Sequence, residues 1–283
     1  MNKRFLGLLA ILSGLLWGAV LSFPNNRLHL IFCDVGQGDA ILVSQGFKQI
    51  LIDGGPNDKV LGCLSRNMPF FDKEIEVVIS THPDYDHTTG LVSVLDKYKV
   101  KLFIGGPVGT SASSFEALLT RIDKKKIKVV NLYSKERLKL GDISLKSLWP
   151  EKQWLVGKVG FLGERNVLGL KTEERNLNDF SLVFLLQYKN SEVLLMGDAD
   201  SRVQDEIMRI NNLEPVDILK FPHHGSKTGV SEEFLAKIKP QQAVISVGKN
   251  SYGHPTKEAL DLLKKYKVKL RRTDLEGEIK YLF

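Results

Sequence analysis

Short apolar runs separated by polar turns extend through most of the chain and predict many short strands with intervening amphipathic helices. Strands are predicted at residues 27–36, 39–46, 48–55, 75–80, 101–106, 128–133, 143–150, 180–188, 191–198, 216–222, 242–248, 268–272 and 278–283. Helices are predicted at residues 58–66, 88–98, 113–125, 201–210 and 231–238, and from about residue 256 onwards. Because both halves of the chain follow this plan, the pattern favours an α/β fold in which two sheets pack together with helices outside.

One internal segment does not follow the pattern. Residues 150–176 are charged and glycine-rich and show no sustained hydrophobic period. We expect them to form a long loop or insertion within a folded domain that comprises residues 27–283.

The amino-terminal segment has a different character. Residues 5–23 contain no charged side chain and follow Lys3 and Arg4. As a helix this run would span about 28 Å, close to the thickness of a bilayer's hydrocarbon core. Residues 1–24 are therefore predicted to be a single-pass membrane anchor, with the rest of the chain outside the cytoplasm. A cleaved signal segment, which would give a secreted protein, is the alternative.

Composition and charge add little to this interpretation. The 283 residues include 40 basic and 33 acidic side chains, a net charge of +7 that is compatible with an anionic partner without identifying one. Of the two cysteines, Cys33 lies in an apolar strand pattern. We expect two buried free thiols, although a disulfide could form outside the membrane.

Candidate chemistry is concentrated in the stretch STHPDYDHTTG, residues 80–90, which follows a predicted buried strand. It contains His82, Asp84, Asp86 and His87, whose side chains are ligands for zinc, manganese or iron. His82 and Asp84 are separated by one residue, and Asp86 and His87 are adjacent. With this spacing the four side chains can point at two metal ions. A helix-capping turn is the alternative, but it explains one aspartate and neither histidine.

Other predicted strand ends carry similar side chains. Asp198 follows one strand, His223 and His224 follow another, and His254 lies a few residues beyond a third. His29, within a strand, is interpreted as structural. Ligands at four separate strand ends predict a shared metal site.

The motifs around these residues permit a family comparison. HPDYDH resembles the His-x-His-x-Asp-His signature of the metallo-β-lactamase superfamily, with Asp84 in place of the second histidine. FCDVGQGDAILV, LIDGG, NDFSLVFLL, GDAD and PHHGSKTG resemble the extracytoplasmic hydrolase domain of ComEC-type DNA-uptake proteins. The resemblance extends from about Leu28 to the carboxyl end.

The resemblance implies an αββα sandwich with two divalent metal ions, zinc or manganese, at one edge of the sheets. The implied ligands are His82 and Asp84 for the first ion, Asp86 and His87 for the second, Asp198 as a bridge, and either His223 or His224 to complete the second site. Asp53 would orient the metal-binding loop.

Two departures from the family pattern affect the expected metal. The oxygen donor of Asp84 shifts the preference from zinc towards manganese or magnesium. No histidine lies between His87 and His223, so the family's intervening ligand is absent. Its replacement could be Asn178, Asp179, Ser181 or water.

These observations lead to a functional hypothesis. The protein is predicted to be a metal-dependent phosphodiester hydrolase, an extracytoplasmic nuclease in which a metal-bound hydroxide attacks DNA. The expected catalytic side chains are Asp86 and Asp198, with His254 and Lys227 neutralising charge on the phosphate. The alternatives are hydrolysis of another ester, such as phosphocholine on cell-wall polymers, and an anchored DNA-binding module with a degraded metal site. ComEC-type proteins usually carry this domain fused to a channel. With one hydrophobic run, this chain would not itself conduct DNA. Work beside a separate DNA-uptake channel, nucleotide salvage and unrelated wall chemistry are the alternatives.

Overall fold

The computed structural model describes residues 3–21, 23–160, 162, 166–174 and 176–283. Nine α-helices and fourteen strands occur within this part of the chain. The helices are α1 Lys3–Leu21, α2 Lys59–Asn67, α3 Tyr85–Lys97, α4 Ser113–Lys124, α5 Lys152–Val159, α6 Ser201–Ile210, α7 Glu232–Ile238, α8 Lys257–Lys265 and α9 Thr273–Glu276.

The strands form two sheets of seven. The first contains β1 Leu28–Phe32, β2 Ile41–Gln45, β3 Lys48–Ile52, β4 Glu74–Ser80, β5 Lys99–Gly105, β6 Lys128–Val130 and β14 Ile279–Leu282, in the order β14-β1-β2-β3-β4-β5-β6. The second contains β7 Arg137–Leu140, β8 Ile143–Trp149, β9 Val183–Tyr188, β10 Ser191–Leu195, β11 Ile218–Lys220, β12 Gln242–Ile245 and β13 Lys269–Arg272, in chain order.

Both sheets share one plan of pairing. Strands β3, β4, β5 and β6 are parallel to one another, as are β10, β11, β12 and β13, while the remaining neighbours are antiparallel. Parallel strands present their carboxyl ends at a common edge. The segments that follow β3, β4, β10, β11 and β12 can therefore meet.

Three hydrophobic clusters define the layers. Between the sheets, residues such as Ile79 of β4 and Phe184 of β9 form a common core. The outer face of the first sheet packs against α2, α3 and α4, and the outer face of the second packs against α6, α7 and α8. The order of layers is thus helix, sheet, sheet, helix, which confirms the predicted α/β sandwich.

The segment predicted as a loop, residues 150–176, differs from expectation. Lys152–Val159 forms the helix α5, in which Leu155 is buried. Leu155 packs with Phe180 and Val108 in a small cluster of its own. Because apolar and polar side chains are not separated onto two faces of this short helix, the sequence shows no helical period there.

The amino-terminal helix α1 is followed within two residues by Phe23. Within the described residues, no helix is both long enough and apolar enough to cross a membrane. The predicted transmembrane span is not confirmed.

The two cysteines form a disulfide, so the expectation of two free thiols is wrong. Cys33 follows β1, Cys63 lies in α2, and their Cα atoms are 5.8 Å apart. Both are buried in the cluster beneath α2 and α3. The apolar surroundings that suggested free thiols are the same surroundings that bring the two sulfur atoms together.

Removing the disulfide should destabilise the fold. The two cysteines are 30 residues apart. For a closed loop of this length, the lost constraint on the unfolded chain is about 3.6 kcal/mol. A Cys33→Ala/Cys63→Ala double variant should therefore show a free energy of unfolding lower by that amount in urea titrations. The Cys63→Ala single variant is the matched control and should lose the same amount. Two reactive thiols in the denatured, unreduced protein would contradict the disulfide.

Candidate metal centre

The predicted ligands converge at the shared edge of the two sheets. His82, Asp86 and His87 follow β4, Asp198 follows β10, and His224 follows β11. Groups of ligand atoms drawn from these residues lie within 4.8 Å of one another in three-residue sets such as His82, His87 and Asp198. Side chains from distant parts of the sequence thus form one compact cluster.

Three imidazole nitrogens in this cluster have no hydrogen-bond partner within the described part of the chain. They are the Nε2 atoms of His82, His87 and His224, all buried. A buried polar atom without a partner costs free energy, and native proteins rarely leave one. Three such atoms at one place are the arrangement expected of metal ligands.

The other ring nitrogen of each histidine is held by the protein. Nδ1 of His87 lies 2.8 Å from the carboxylate of Asp53, and Nδ1 of His224 lies 2.9 Å from the backbone oxygen of Ser246. Because these oxygens can only accept, each Nδ1 carries a proton, and in the neutral ring each Nε2 presents a lone pair. The hydroxyl of Thr81 donates to Asp53 and so accepts from Nδ1 of His82 at 3.0 Å. This arrangement orients the rings for a metal.

The distances between ligand atoms fit a small cation. Nε2 of His87 and Nε2 of His224 each lie 3.4 Å from Oδ2 of Asp198, and Nε2 of His224 lies 3.3 Å from Oδ2 of Asp86. Ligands bonded at about 2.0 Å in a tetrahedral site are about 3.3 Å apart. The Asp198 carboxylate therefore lies where one oxygen can share a cation with either histidine.

The aspartates of the 80–90 stretch do not act as helix caps. Helix α3 begins at Tyr85, three residues earlier than predicted, so Asp86 and His87 lie in its first turn. Asp84 is the N-cap residue, yet its side chain makes no capping hydrogen bond. Its carboxylate is 40% exposed and lies 3.6 Å from Nε2 of His82. The capping alternative is therefore excluded for Asp84, whose oxygens face the cluster.

The structure separates the two histidines that the sequence could not distinguish. His224 is buried and contacts Asp86 and Asp198, whereas the ring of His223 lies beside the amide of Asn178 at 3.3 Å. Both residues have positive φ angles, 51° for His223 and 53° for His224. Such angles are rare outside glycine and are typical of functional sites.

Close backbone contacts hold the metal-binding loop. A Cβ atom on Gly90 of α3 would lie 1.9 Å from the oxygen of Gly54, and the backbone nitrogen of Gly54 donates to the oxygen of His87 at 2.7 Å. A Cβ atom on Gly38 would lie 2.3 Å from the oxygen of Asp86. A Cβ atom on Gly54 would lie 2.5 Å from the backbone nitrogen of Leu91. The DVGQGD and LIDGG motifs thus need glycine because their backbones touch this loop and α3.

A buried lysine was missed by the sequence analysis. Lys220, the last residue of β11, is fully buried, and its ammonium donates to the oxygen of Gly197 at 2.9 Å. It forms an ion pair with the buried Asp39 and lies 3.5 Å from Oδ1 of Asp198. The available signal was a lysine at the end of an apolar strand, three residues before the first histidine of the pair.

The carboxylates dominate the electrostatics of the cluster. Burial alone would lower the pKa of His87, but the charges of Asp198 and Asp53 outweigh it and raise that pKa well above its usual value. Burial would raise the pKa of Asp86, yet His224 and His87 hold it at about 2. A cation bound by the same carboxylates competes with protons on the histidines. Metal affinity should therefore rise with pH.

A pocket of about 350 Å³ opens over the cluster. Its lining includes Asp84, Asp86, Asp198, His223, His224, Asn178, His254, Tyr85 and Tyr252. Burial, with the neighbouring histidines, lowers the pKa of His254 to about 4, so its ring is neutral at pH 7. Lys227 is not part of this lining, because its exposed ammonium pairs with Glu258 at 3.4 Å.

Of the three residues considered as replacements for the absent ligand, one lines the pocket. Asn178 is buried there beside His223. Asp179 pairs instead with Arg202 at 3.2 Å, and the hydroxyl of Ser181 accepts from the backbone of Asp198.

The fold and the donor set define the class of protein. The family model for the metallo-β-lactamase superfamily matches residues 33–249. The chain belongs to this superfamily of metallo-hydrolases. Among solved structures, the metallo-β-lactamase fold protein YhfI from Bacillus subtilis is similar to this chain, with a TM-score of 0.54 at 13% identity. The match covers 90% of this chain and 100% of YhfI. This likeness shows the fold alone.

Two curated relatives confirm the resemblance to ComEC-type proteins. ComE operon protein 3 of Bacillus subtilis (strain 168) is 26% identical over 275 residues, which cover 88% of this chain and 32% of that protein. Recombination protein 2 of Haemophilus influenzae is 27% identical over 270 residues, covering 93% and 29%. The chain spans about a third of the length of these relatives.

Substituting the two adjacent histidines separately should give different metal binding. His224→Ala removes a buried nitrogen of the cluster and should weaken binding of Mn²⁺ by at least about tenfold. His223→Ala is the matched control and should bind Mn²⁺ as the unsubstituted protein does. Calorimetric titration with Mn²⁺ measures both. Equal losses in the two variants would contradict the assignment of His224.

Substituting Lys220 should reveal its coupling to Asp39. Lys220→Met leaves the Asp39 carboxylate buried without its cation and should destabilise the metal-free protein by about 3–5 kcal/mol. Adding Asp39→Asn should restore part of this loss in urea titrations. Lys227→Met, which replaces an exposed lysine, is the control. Its free energy of unfolding should change by no more than about 0.5 kcal/mol. Strict additivity of the two changes would show that the pair is not coupled.

Proposed function

We propose that the protein is an extracytoplasmic, metal-dependent phosphodiesterase that cleaves DNA. The observation that carries the proposal is the set of three buried, unpartnered Nε2 atoms around the carboxylate of Asp198. A module that only binds DNA does not need such a set of metal ligands. This observation argues against the alternative of a degraded metal site. The resemblance to ComEC-type proteins supports DNA as the substrate.

The donor set fits two divalent cations. His82, Asp84 and Asp198 would hold the first, and Asp86, His87, Asp198 and His224 would hold the second. When bound, such cations lower the pKa of water and neutralise charge that develops on phosphorus. With Asp84 in place of an imidazole, oxygen donors predominate at the first site, which favours manganese over zinc.

Several side chains of the pocket would bind the phosphate. His254 is neutral at pH 7, and its buried Nδ1 has no hydrogen-bond partner in the described part of the chain. The ring of His223 lies 5.4 Å from that of His254, between it and Asn178. Each of these groups has an N–H that can donate to a phosphate oxygen. His254 therefore takes the role for which the sequence also suggested Lys227.

The location outside the cytoplasm is supported by the disulfide. Disulfides such as Cys33–Cys63 persist in oxidising compartments and are rare in the cytosol. Residues 1–24, which include α1, remain the proposed anchor or signal segment. A separate channel would then act with this domain in DNA uptake.

The proposal is tested by hydrolysis assays on plasmid DNA and on bis-nitrophenyl phosphate. Both substrates should be cleaved with Mn²⁺ and spared when a chelator is added. Asp86→Asn and Asp198→Asn should each reduce the rate by at least about a hundredfold, since a charge that binds the cations is lost. Asp205→Asn, an exposed aspartate on α6, is the control and should keep full activity.

The outcomes separate the candidate functions. Intact DNA and intact phosphodiester with every divalent metal tried would reject the phosphodiesterase. Cleavage of a phosphocholine ester in preference to DNA would instead support the wall-polymer alternative.

A further inference from the structure

Two exposed tyrosines border the metal pocket. Tyr85, the first residue of α3, is 51% exposed, and Tyr252, in the loop after β12, is 65% exposed. Among the exposed large apolar and aromatic side chains of the described residues, these two line the pocket. Neither phenolic hydroxyl makes a hydrogen bond to another described residue. The hydroxyl groups are therefore not needed by the fold, and the exposed parts of both rings are available to a ligand.

Both tyrosines are presented by firmly held backbone. The side chain of Asn250 accepts from the backbone nitrogens of Tyr252 and His254, at 3.0 Å each, and donates to the oxygens of Gly248 and His254, at 2.8 Å each. The backbone of Tyr85 lies in a helical turn, where its oxygen accepts from the hydroxyl of Thr89 at 2.7 Å. Exposed aromatic rings on rigid supports lose little entropy on binding.

The ring of Tyr252 has one aromatic neighbour. Its ring packs against the ring of His254, with centroids 5.8 Å apart and an angle of 32° between the planes. This contact places the Tyr252 ring beside a residue that we assign to phosphate binding. A flat group stacked on the ring would thus lie next to the bound phosphodiester.

We propose that Tyr85 and Tyr252 bind an unpaired nucleobase by stacking, so that the site selects single-stranded DNA. The inference rests on the proposed function for the position of the phosphate. Aromatic side chains beside a phosphate site stack on bases of any sequence, because every base has a flat π face. In duplex DNA those faces are covered by neighbouring base pairs, so exposed rings can stack only on unpaired or terminal bases.

A choline group is the competing ligand for aromatic rings. Quaternary ammonium ions are bound by aromatic cages through cation–π contacts, which require rings around the ion. Here two rings, both more than half exposed, border an open pocket. This geometry favours a flat base, which needs only one face of each ring.

The kinetic test uses two phosphodiesters with the same leaving group. Thymidine 5′-(p-nitrophenyl phosphate) carries a base, and methyl p-nitrophenyl phosphate does not. The ratio of their kcat/KM values should fall about tenfold in Tyr252→Leu and in Tyr85→Leu, as expected for the loss of one stacking partner. Tyr252→Phe should retain the ratio, and Phe70→Leu, an exposed aromatic residue outside the pocket, is the control. An unchanged ratio in both leucine variants would overturn the proposal.

A binding test distinguishes failure of this inference from failure of the proposed function. Fluorescence anisotropy compares a short labelled thymidylate oligomer with an abasic oligomer of the same length, in protein treated with chelator. The base-containing oligomer should bind more tightly, and Tyr252→Leu should remove most of the difference. This result without any hydrolysis would uphold the stacking site and reject the nuclease. Equal binding of both oligomers, or displacement of the thymidylate by phosphocholine alone, would reject the stacking site even where DNA is cleaved.

Discussion

The crowding of carboxylates at one edge of the sandwich is the constraint on which the rest of the centre depends. Five aspartates meet there: Asp39, Asp53, Asp84, Asp86 and Asp198. All of them except Asp84 are buried or nearly so. Buried negative charge of this density is tolerated only when positive charge lies within a few ångströms. The histidines, Lys220 and the proposed cations all follow from this requirement.

The fold meets the requirement through parallel strands and close backbone contacts. The ends of β3, β4, β10 and β11 bring Asp53, His87, Asp198 and His224 to one place, although they are far apart in the sequence. Glycines then set the positions of the segments that carry these side chains. The contact between Gly54 and Gly90 leaves no room for a Cβ atom. The chemistry and the main-chain geometry of the motifs are therefore inseparable.

Much of this arrangement could be predicted from the sequence. Candidate ligands that directly follow buried strands can be recognised from the sequence, so the convergence of His82, Asp86 and Asp198 could be predicted together with the α/β sandwich. What escaped prediction depends on three-dimensional contacts. The choice of His224 over His223 depends on two successive positive φ angles, which the residue types do not reveal. Similarly, Lys220 resembles a surface residue at a strand end until its burial against Asp39 is seen.

The balance of charge bears on how many cations the centre holds. With the imidazoles neutral, five carboxylates and the ammonium of Lys220 leave four uncompensated negative charges, which equals the charge of two divalent cations. One divalent cation would leave two negative charges in a largely buried site, a costly state unless histidines were protonated. Protonated histidines, however, cannot bind a metal. The charge of the cluster, with Lys220 included, thus matches the two divalent ions that we propose, and the pairing of Lys220 with Asp39 engages that carboxylate in an ion pair.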